Sequence, residues 1–370
     1  MRITHVRQRQ IRLVEEIGEL EPAWDPGGRF GFRRGAGSFV EIETDEGVVG
    51  IGPGTNPALI DRVESKLVGR DPFEVERIQD EVCQQARGLP YQGAAGIDIA
   101  LWDLIGKASG QPLYKVWGGG DDRVIPYASM VLLSTPEERA AMAAKLQGEG
   151  WRAIKLRLHH QTMREDLDTV ARVQAAAPDL TVMVDANQAQ SAHGWQPGVR
   201  WDYRRALETA RELEAMGVYW LEEPLPRYAY DDLARLSDSV AIPIAGGENN
   251  NGVHEFVEML RRDVYGFLQP ESMVNSGVTA LRKIGVLAEA FGKQIVPHHG
   301  GGNLGVIAHL HLVASWPHAP YLELLHDPPV GDYAHGFSIF TEAPVVDGEG
   351  MMAVPQKPGL GVEIDPELVI

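Results

Sequence analysis

The chain has 370 residues, 44% of them hydrophobic and 23% charged, with a formal net charge of −18. That length holds a large domain plus a smaller one, and the acidic excess argues against a nucleic-acid partner, which needs clustered Lys and Arg. The single cysteine, Cys83, leaves no intrachain disulfide framework and fits a reducing cytoplasm; "MRITHVRQRQIRLVEE" is too polar for a signal peptide, and no apolar run approaches the ~18 residues of a membrane span.

In chain order, "THVRQRQIRLV" and "SFVEIETDEGVVGIG" read as strands, the second folding back at Asp45-Glu46-Gly47. Between them, residues 16–37 are rich in Gly and Pro, carry Trp24 and Phe30, and follow no period. Such a stretch is either a surface linker or a functional lid. Helical patterns follow from about 57 to 110. From about 124 short apolar runs recur: "VIPYASMVLL", "RAIKLRL", "LTVMVDA", "VYWLEEP", "IPIAGGE", "YGFLQPE", "QIVPHH" and "PYLELLH". Text of helical composition, such as "TPEERAAMAAKLQGEG", separates them. Eight strand–helix units predict an α/β fold built on a closed (β/α)8 TIM barrel. An open doubly wound sheet is the alternative, but no GxGxxG loop follows the first strand. Residues 340–370 return to a strand-turn pattern. The expected organisation is an α+β capping domain over 1–120, a barrel carrying the site over 121–330, and a segment over 331–370 that returns to the cap.

In such a barrel the active site lies at the C-terminal strand ends. Lys155 and Arg157 lie on the second run, Asp185 ends the third, and Glu222 and Glu223 end the fourth. Glu248 ends the fifth, Glu271 the sixth and His298 the seventh, while Glu323 lies in the eighth. Any one of these can be a solvated loop residue. Together, carboxylates at successive buried strand ends repel one another unless a cation joins them. Three converging carboxylates suit a hard divalent ion, so Asp185, Glu222 and Glu248 are assigned to Mg2+, with Mn2+ equally compatible. Asn187 and Asn249 lie nearby as turn formers or as contacts to metal or substrate.

A metal with open positions can take a substrate carboxylate and stabilise the dianion formed when the adjacent carbon loses a proton. Lys155 can neutralise the same oxygens. His298 has an ordinary pKa near neutrality and suits the general base, with Glu271 holding its other nitrogen. Glu323, if protonated, can donate to the substrate carboxylate.

These motifs resemble the enolase superfamily, in its mandelate racemase subgroup, over nearly the whole chain. "GIDIALWDLIGKASGQPLYKVWGG" resembles the segment linking cap to barrel; "VDANQ", "WLEEPL" and "IAGGEN" resemble the three metal-ligand motifs. "LQPE" and "VPHH" resemble the His–Asp dyad, with Glu271 in the place of Asp. The intervals of 26, 23 and 27 residues from Glu222 through Glu248 and Glu271 to His298 match one strand per repeat. The family histidine follows the proline, which selects His298. Strand alternation then turns His299 elsewhere, packed or substrate-facing. The family's KxK appears as "KLR", and Arg157 is a poor base because it stays protonated. His159 shares strand parity with Lys155 and Arg157 and either enters the site or remains in the loop.

One base on one face favours dehydration of a polyhydroxy acid to a 2-keto-3-deoxy acid, the activity the resemblance also implies. An epimerase or cycloisomerase with Lys155 as second acid/base is the alternative, and a non-catalytic acid-sugar binding protein is a remote one. The expected partner is a small sugar acid. The resemblance also implies a homo-oligomer. Trp24 of the lid is expected at the substrate. In the insert over 191–203, Trp195, Arg200 and Trp201 either line a substrate pocket or decorate the surface.

Overall fold

The computed structural model describes residues 1–87, 94–192 and 194–370. Residues 88–93, inside the stretch read as helical, and His193, inside the insert, lie outside the described residues.

Near the N-terminus, Ile3–Gln10, Ser38–Thr44 and Val49–Pro53 form an antiparallel sheet with Ser38–Thr44 in the middle. Its hairpin closes at the expected turn, where the Gly47 N–H donates to the Thr44 carbonyl at 3.1 Å. "THVRQRQIRLV" is not one strand. A second strand, Leu13–Leu20, leaves the sheet and pairs antiparallel with Phe30–Gly35. Much of the aperiodic 16–37 stretch is therefore a ribbon. Its residues are mostly exposed or half-buried, so no face had to be apolar and no period of two was written into it.

Helices Pro57–Leu67, Val75–Ala86 and Ala95–Ala108 follow. The third is apolar around nearly its whole circumference and is buried, as such a helix must be. Its Asp103 accepts from the backbone N–H of Ile51 and of Leu360, both at 2.8 Å. One side chain thus ties the N-terminal sheet to the end of the chain. The C-terminal stretch also pairs Met352–Ala353 with Arg123–Val124 and bridges Val369 to Ile11.

The large sheet has eight strands: Pro126–Ser129, Ala153–Arg157, Thr181–Asp185, Leu221–Glu222, Ile244–Gly246, Phe267–Leu268, Gln294–Ile295 and Leu322–Leu325. They coincide with the eight apolar runs. Neighbours are parallel and consecutive, and the eighth strand pairs with the first. A doubly wound sheet would reverse its order at a switch point, so the barrel is the correct architecture. The Ile295 N–H donates to the His318 carbonyl at 3.1 Å, linking the seventh strand to the approach of the eighth. The helices after the first two strands open on capping boxes, Thr135 with Glu138 and Thr162 with Glu165. Among the described residues no helix is long and apolar enough to cross a membrane.

Inside the barrel Tyr127, Ala153, Met183, Trp220, Ala245, Phe267 and Val296 form a buried plug separate from the outer core. A strand's side chains alternate with a period of two, so the residue two positions on from each also points inward, one layer nearer the C-terminal mouth. Those residues are Ser129, Lys155, Asp185, Glu222, Gly247, Gln269 and His298.

Candidate active site

Parity alone therefore delivers most of the polar centre. Glu248 is the exception, since parity puts Gly247 inward. Gly247 has φ 117°, a conformation that β-carbon-bearing residues rarely adopt, and this swings Glu248 to the mouth. One oxygen each of Asp185, Glu222 and Glu248 then lie within 4.8 Å of one another, all three residues being buried. The donors are all oxygen, and Glu248 Oε2 is buried and faces His298 Nε2 at 3.2 Å. That set fits a hard divalent cation.

Buried cations hold the carboxylates apart. Lys155 Nζ lies 2.6 Å from Glu222 Oε1 and 2.9 Å from Glu323 Oε1. Arg157 pairs with Asp185, donates to Ser129 Oγ at 2.9 Å and to the Met130 carbonyl at 3.2 Å, and stacks on Trp24 at 5.4 Å. Burial works against both charges, yet the carboxylates raise both pKa values. Burial pushes Glu222 up to about 7. Burial also raises Glu223 well above the usual range, and neither of its oxygens has a hydrogen-bond partner among the described residues. The condition under which Glu323 could donate, a protonated carboxyl, is not favoured: although burial opposes it, Lys155 lowers that carboxyl's pKa. Lys155 is likewise committed to Glu222 and Glu323 rather than poised over open space.

The two asparagines hold carboxylates. Asn187 donates from its backbone N–H to Asp185 Oδ1 at 2.7 Å and from Nδ2 to Oδ2 at 3.0 Å. Asn249 Nδ2 donates to Glu248 Oε1 at 2.9 Å. Trp24, His159 and Asn187 line a gap of only about 20 Å3, too small for a sugar acid. Burial lowers the His159 pKa to about 4, and the His160 ring lies tilted against it at 4.2 Å. In the insert, Trp195 is 67% exposed, whereas Trp201 is buried under Arg205 at 5.0 Å and belongs to the core, not to a substrate pocket. Sequence reading missed Gln269, which donates to Glu222 Oε2 at 2.7 Å, and Trp220, which donates to the same oxygen at 3.1 Å. Parity with Phe267 was the available signal for Gln269.

His298 Nδ1 lies 2.9 Å from Glu271 Oε2, and His298 Nε2 lies 3.2 Å from Glu248 Oε2. Burial opposes the His298 charge, but Glu248, Glu323 and Glu271 raise its pKa to about 10. The reverse holds for Glu271, brought down to about 2 against burial by the His298 hydrogen bond.

His299 falls on the opposite parity to Val296 and His298 and is half-buried rather than packed. The His299 ring lies 4.1 Å from that of His298 and lines a cavity of about 380 Å3 beside the dyad. The ribbon's Phe30 and Phe32 and the post-barrel Phe337 face the same cavity. Much of the 16–37 stretch is thus a cavity wall rather than a linker.

Residues 34–118 match the mandelate racemase / muconate lactonizing enzyme N-terminal domain, and residues 138–368 match the enolase C-terminal domain-like family. The chain belongs to the enolase superfamily. Within it, the chain is 30% identical over 346 residues to arabinonate dehydratase of Saccharolobus solfataricus, covering 88% of this chain and 87% of that one. It is also 30% identical over 354 residues to D-galactarolactone cycloisomerase of Agrobacterium fabrum, covering 90% of each. L-talarate dehydratase of Polaromonas sp. JS666, solved with Mg and L-glucarate, superposes with a TM-score of 0.80 at 27% identity, over 99% of this chain and 96% of that one.

Proposed function

We propose that the protein abstracts the proton next to the carboxylate of a sugar acid with the help of Mg2+, and then eliminates the β-hydroxyl as water. The product is a 2-keto-3-deoxy acid. The observation that carries this reading is the one-sidedness of the base. His298 is oriented by Glu271 at 2.9 Å, while Arg157, the residue replacing a second lysine, is tied to Asp185 and cannot act as a base.

Asp185, Glu222 and Glu248 would hold Mg2+, the ion solved with the talarate dehydratase relative. Bound there, it would supply the positive charge that makes the carbon beside a carboxylate acidic. Among the protein groups, His298 takes the α-proton at Nε2, because Nδ1 faces Glu271; it does so as the neutral ring, which engaging Glu248 with Mg2+ would favour by neutralising the carboxylate that most raises its pKa. The C–H electron pair becomes the new C–C double bond, and the β-hydroxyl leaves with its bonding pair. The proton held on Nε2 passes to that oxygen, giving water. The resulting enol becomes the ketone by moving its hydroxyl proton to carbon. Glu271 remains ionised and steadies the imidazolium between these steps. Lys155 pairs with Glu222 and Glu323 and holds both carboxylates in place.

The same proton abstraction serves a cycloisomerase, and D-galactarolactone cycloisomerase is as similar as the dehydratase. A Mg2+-supplemented sugar-acid library, read for 2-keto-3-deoxy product with His298→Asn alongside, separates the two. A product that needs Mg2+ and is lost in the variant supports dehydration. Solvent deuterium entering a substrate without keto product overturns it in favour of isomerisation.

A further inference from the structure

We propose that His299 is a specificity-determining residue: as a neutral imidazole it donates from Nε2 to a hydroxyl oxygen on the substrate carbon one or two positions beyond the carbon that loses its proton. The inference rests on the sugar-acid reading above and adds a recognition element to it.

The tautomer follows from the backbone. The Gly301 N–H donates to His299 Nδ1 at 3.1 Å. A nitrogen that accepts carries no proton, so the neutral ring bears its hydrogen on Nε2. The loop that aims this N–H is made of Gly300, Gly301 and Gly302, with φ of 76°, 68° and 100°. A β-carbon at Gly300 would meet the carbonyl carbon of Gly305 at 2.5 Å, so that position cannot carry a side chain. The three glycines after the His-His pair thus set the donor side of the second histidine.

Neutrality follows from the same contact: a ring that accepts the Gly301 N–H at Nδ1 keeps a lone pair there and carries one proton. Burial works in the same direction and lowers the His299 pKa. The two adjacent histidines therefore do different work: one moves a proton, the other keeps its own.

The direction of recognition comes from the cavity. His299 lines it together with carbon surfaces from Phe30, Phe32 and Phe337 and, on other walls, the polar Arg33, Asn303 and Tyr333. Aromatic faces accept the C–H side of a sugar chain, but they donate no hydrogen bond to an oxygen. An oxygen turned toward the His-His corner finds the His299 N–H. A substrate lacking that oxygen leaves a donor unpaired, which is the strong form of discrimination.

The test compares wild type, His299→Phe and His299→Gln on the acid found in the library and on its deoxy analogues. His299→Phe is expected to lose roughly 10- to 100-fold in kcat/KM on the hydroxylated acid. It should lose nothing further on the one analogue that lacks the oxygen read by His299. His299→Gln, which retains an N–H donor, should recover part of the loss. Exchange of the α-proton with solvent should persist in all three, since His298 is intact. Equal losses on every analogue overturn the proposal. Independently of any substrate, long-range 1H–15N correlation at neutral pH, with His299→Phe for assignment, reads the ring. An Nε2–H tautomer supports the proposal; an Nδ1–H or doubly protonated ring overturns it. If no acid shows Mg2+-dependent exchange in wild type, the reading of the reaction fails, an outcome distinct from either of these failures of His299.

Discussion

Nδ1 of His298 lies 2.9 Å from Oε2 of Glu271, and that carboxylate is itself pinned. Gly300 N–H donates to the same oxygen at 2.9 Å and Met273 N–H donates to Oε1 at 2.9 Å. The extra methylene of glutamate is thus absorbed by a loop built to hold it, and His298 is presented through Nε2.

The first expectation concerns that pair. His298→Asn should lower kcat by about 10³-fold or more, the usual scale for losing a general base. Glu271→Asp shortens the carboxylate away from its partners and should cost about 10- to 100-fold. Steady-state kinetics on the substrate found in the screen check both. A Glu271→Asp variant with unchanged kcat would show that the dyad does not depend on this geometry.

Lys155 is fully buried between Glu222 and Glu323. Lys155→Met should destabilise the metal-free protein by about 3–5 kcal/mol, because carboxylates are left buried without a counter-charge. Mg2+ should restore part of that loss by binding the folded state. Urea unfolding in EDTA and in excess Mg2+ measures both terms. Equal midpoints for wild type and variant in EDTA would refute the pairing role.

Chelation should abolish turnover, and added Mg2+ or Mn2+ should restore it, since both accept the same oxygen donors. Glu248→Gln removes a charge from the trio that lies within 4.8 Å. It should weaken Mg2+ binding by at least about 10-fold, measured by calorimetry. Unaltered affinity would remove Glu248 from the ligand set.

Asp98 offers a pH test away from the site. It is buried, accepts from the Thr279 N–H at 2.9 Å, and burial raises its pKa from 3.8 to about 7. Folding therefore favours the protonated acid. The stabilisation is complete below the unfolded pKa and is lost as pH rises toward about 7. Asp98→Asn cannot titrate, so the stability difference, wild type minus variant, should fall with pH by up to about 1.4 kcal/mol per unit across that window. Urea unfolding from about pH 5 to about pH 8 reads it. A difference that rises or stays level refutes the assignment.

Much of this protein was legible in its residues. The apolar runs ending in Asp185, Glu222 and Glu271 declared strands buried on both faces, and their polar ends marked the mouth. Glu248 was assigned from its place at the end of the fifth run, although strict alternation would have chosen Gly247. The ribbon was missed because neither of its faces packs into the core, so its composition carried no period. Trp201 was misjudged for a related reason: an aromatic in an insert reads the same whether it faces a pocket or the core.

What the sequence alone determined is the count of units and the chemistry at each strand end. Alternation along a strand is a local property, and a residue's own neighbours suffice to set it. What only the tertiary structure decided is how those groups are used. Arg157 is committed to Asp185 and Ser129, Lys155 keeps Glu323 ionised, Asn187 turns onto Asp185, and His299 faces a cavity walled by a ribbon from far upstream. Each depends on a partner from a distant segment or on a local backbone turn, neither of which a residue's parity along its strand records.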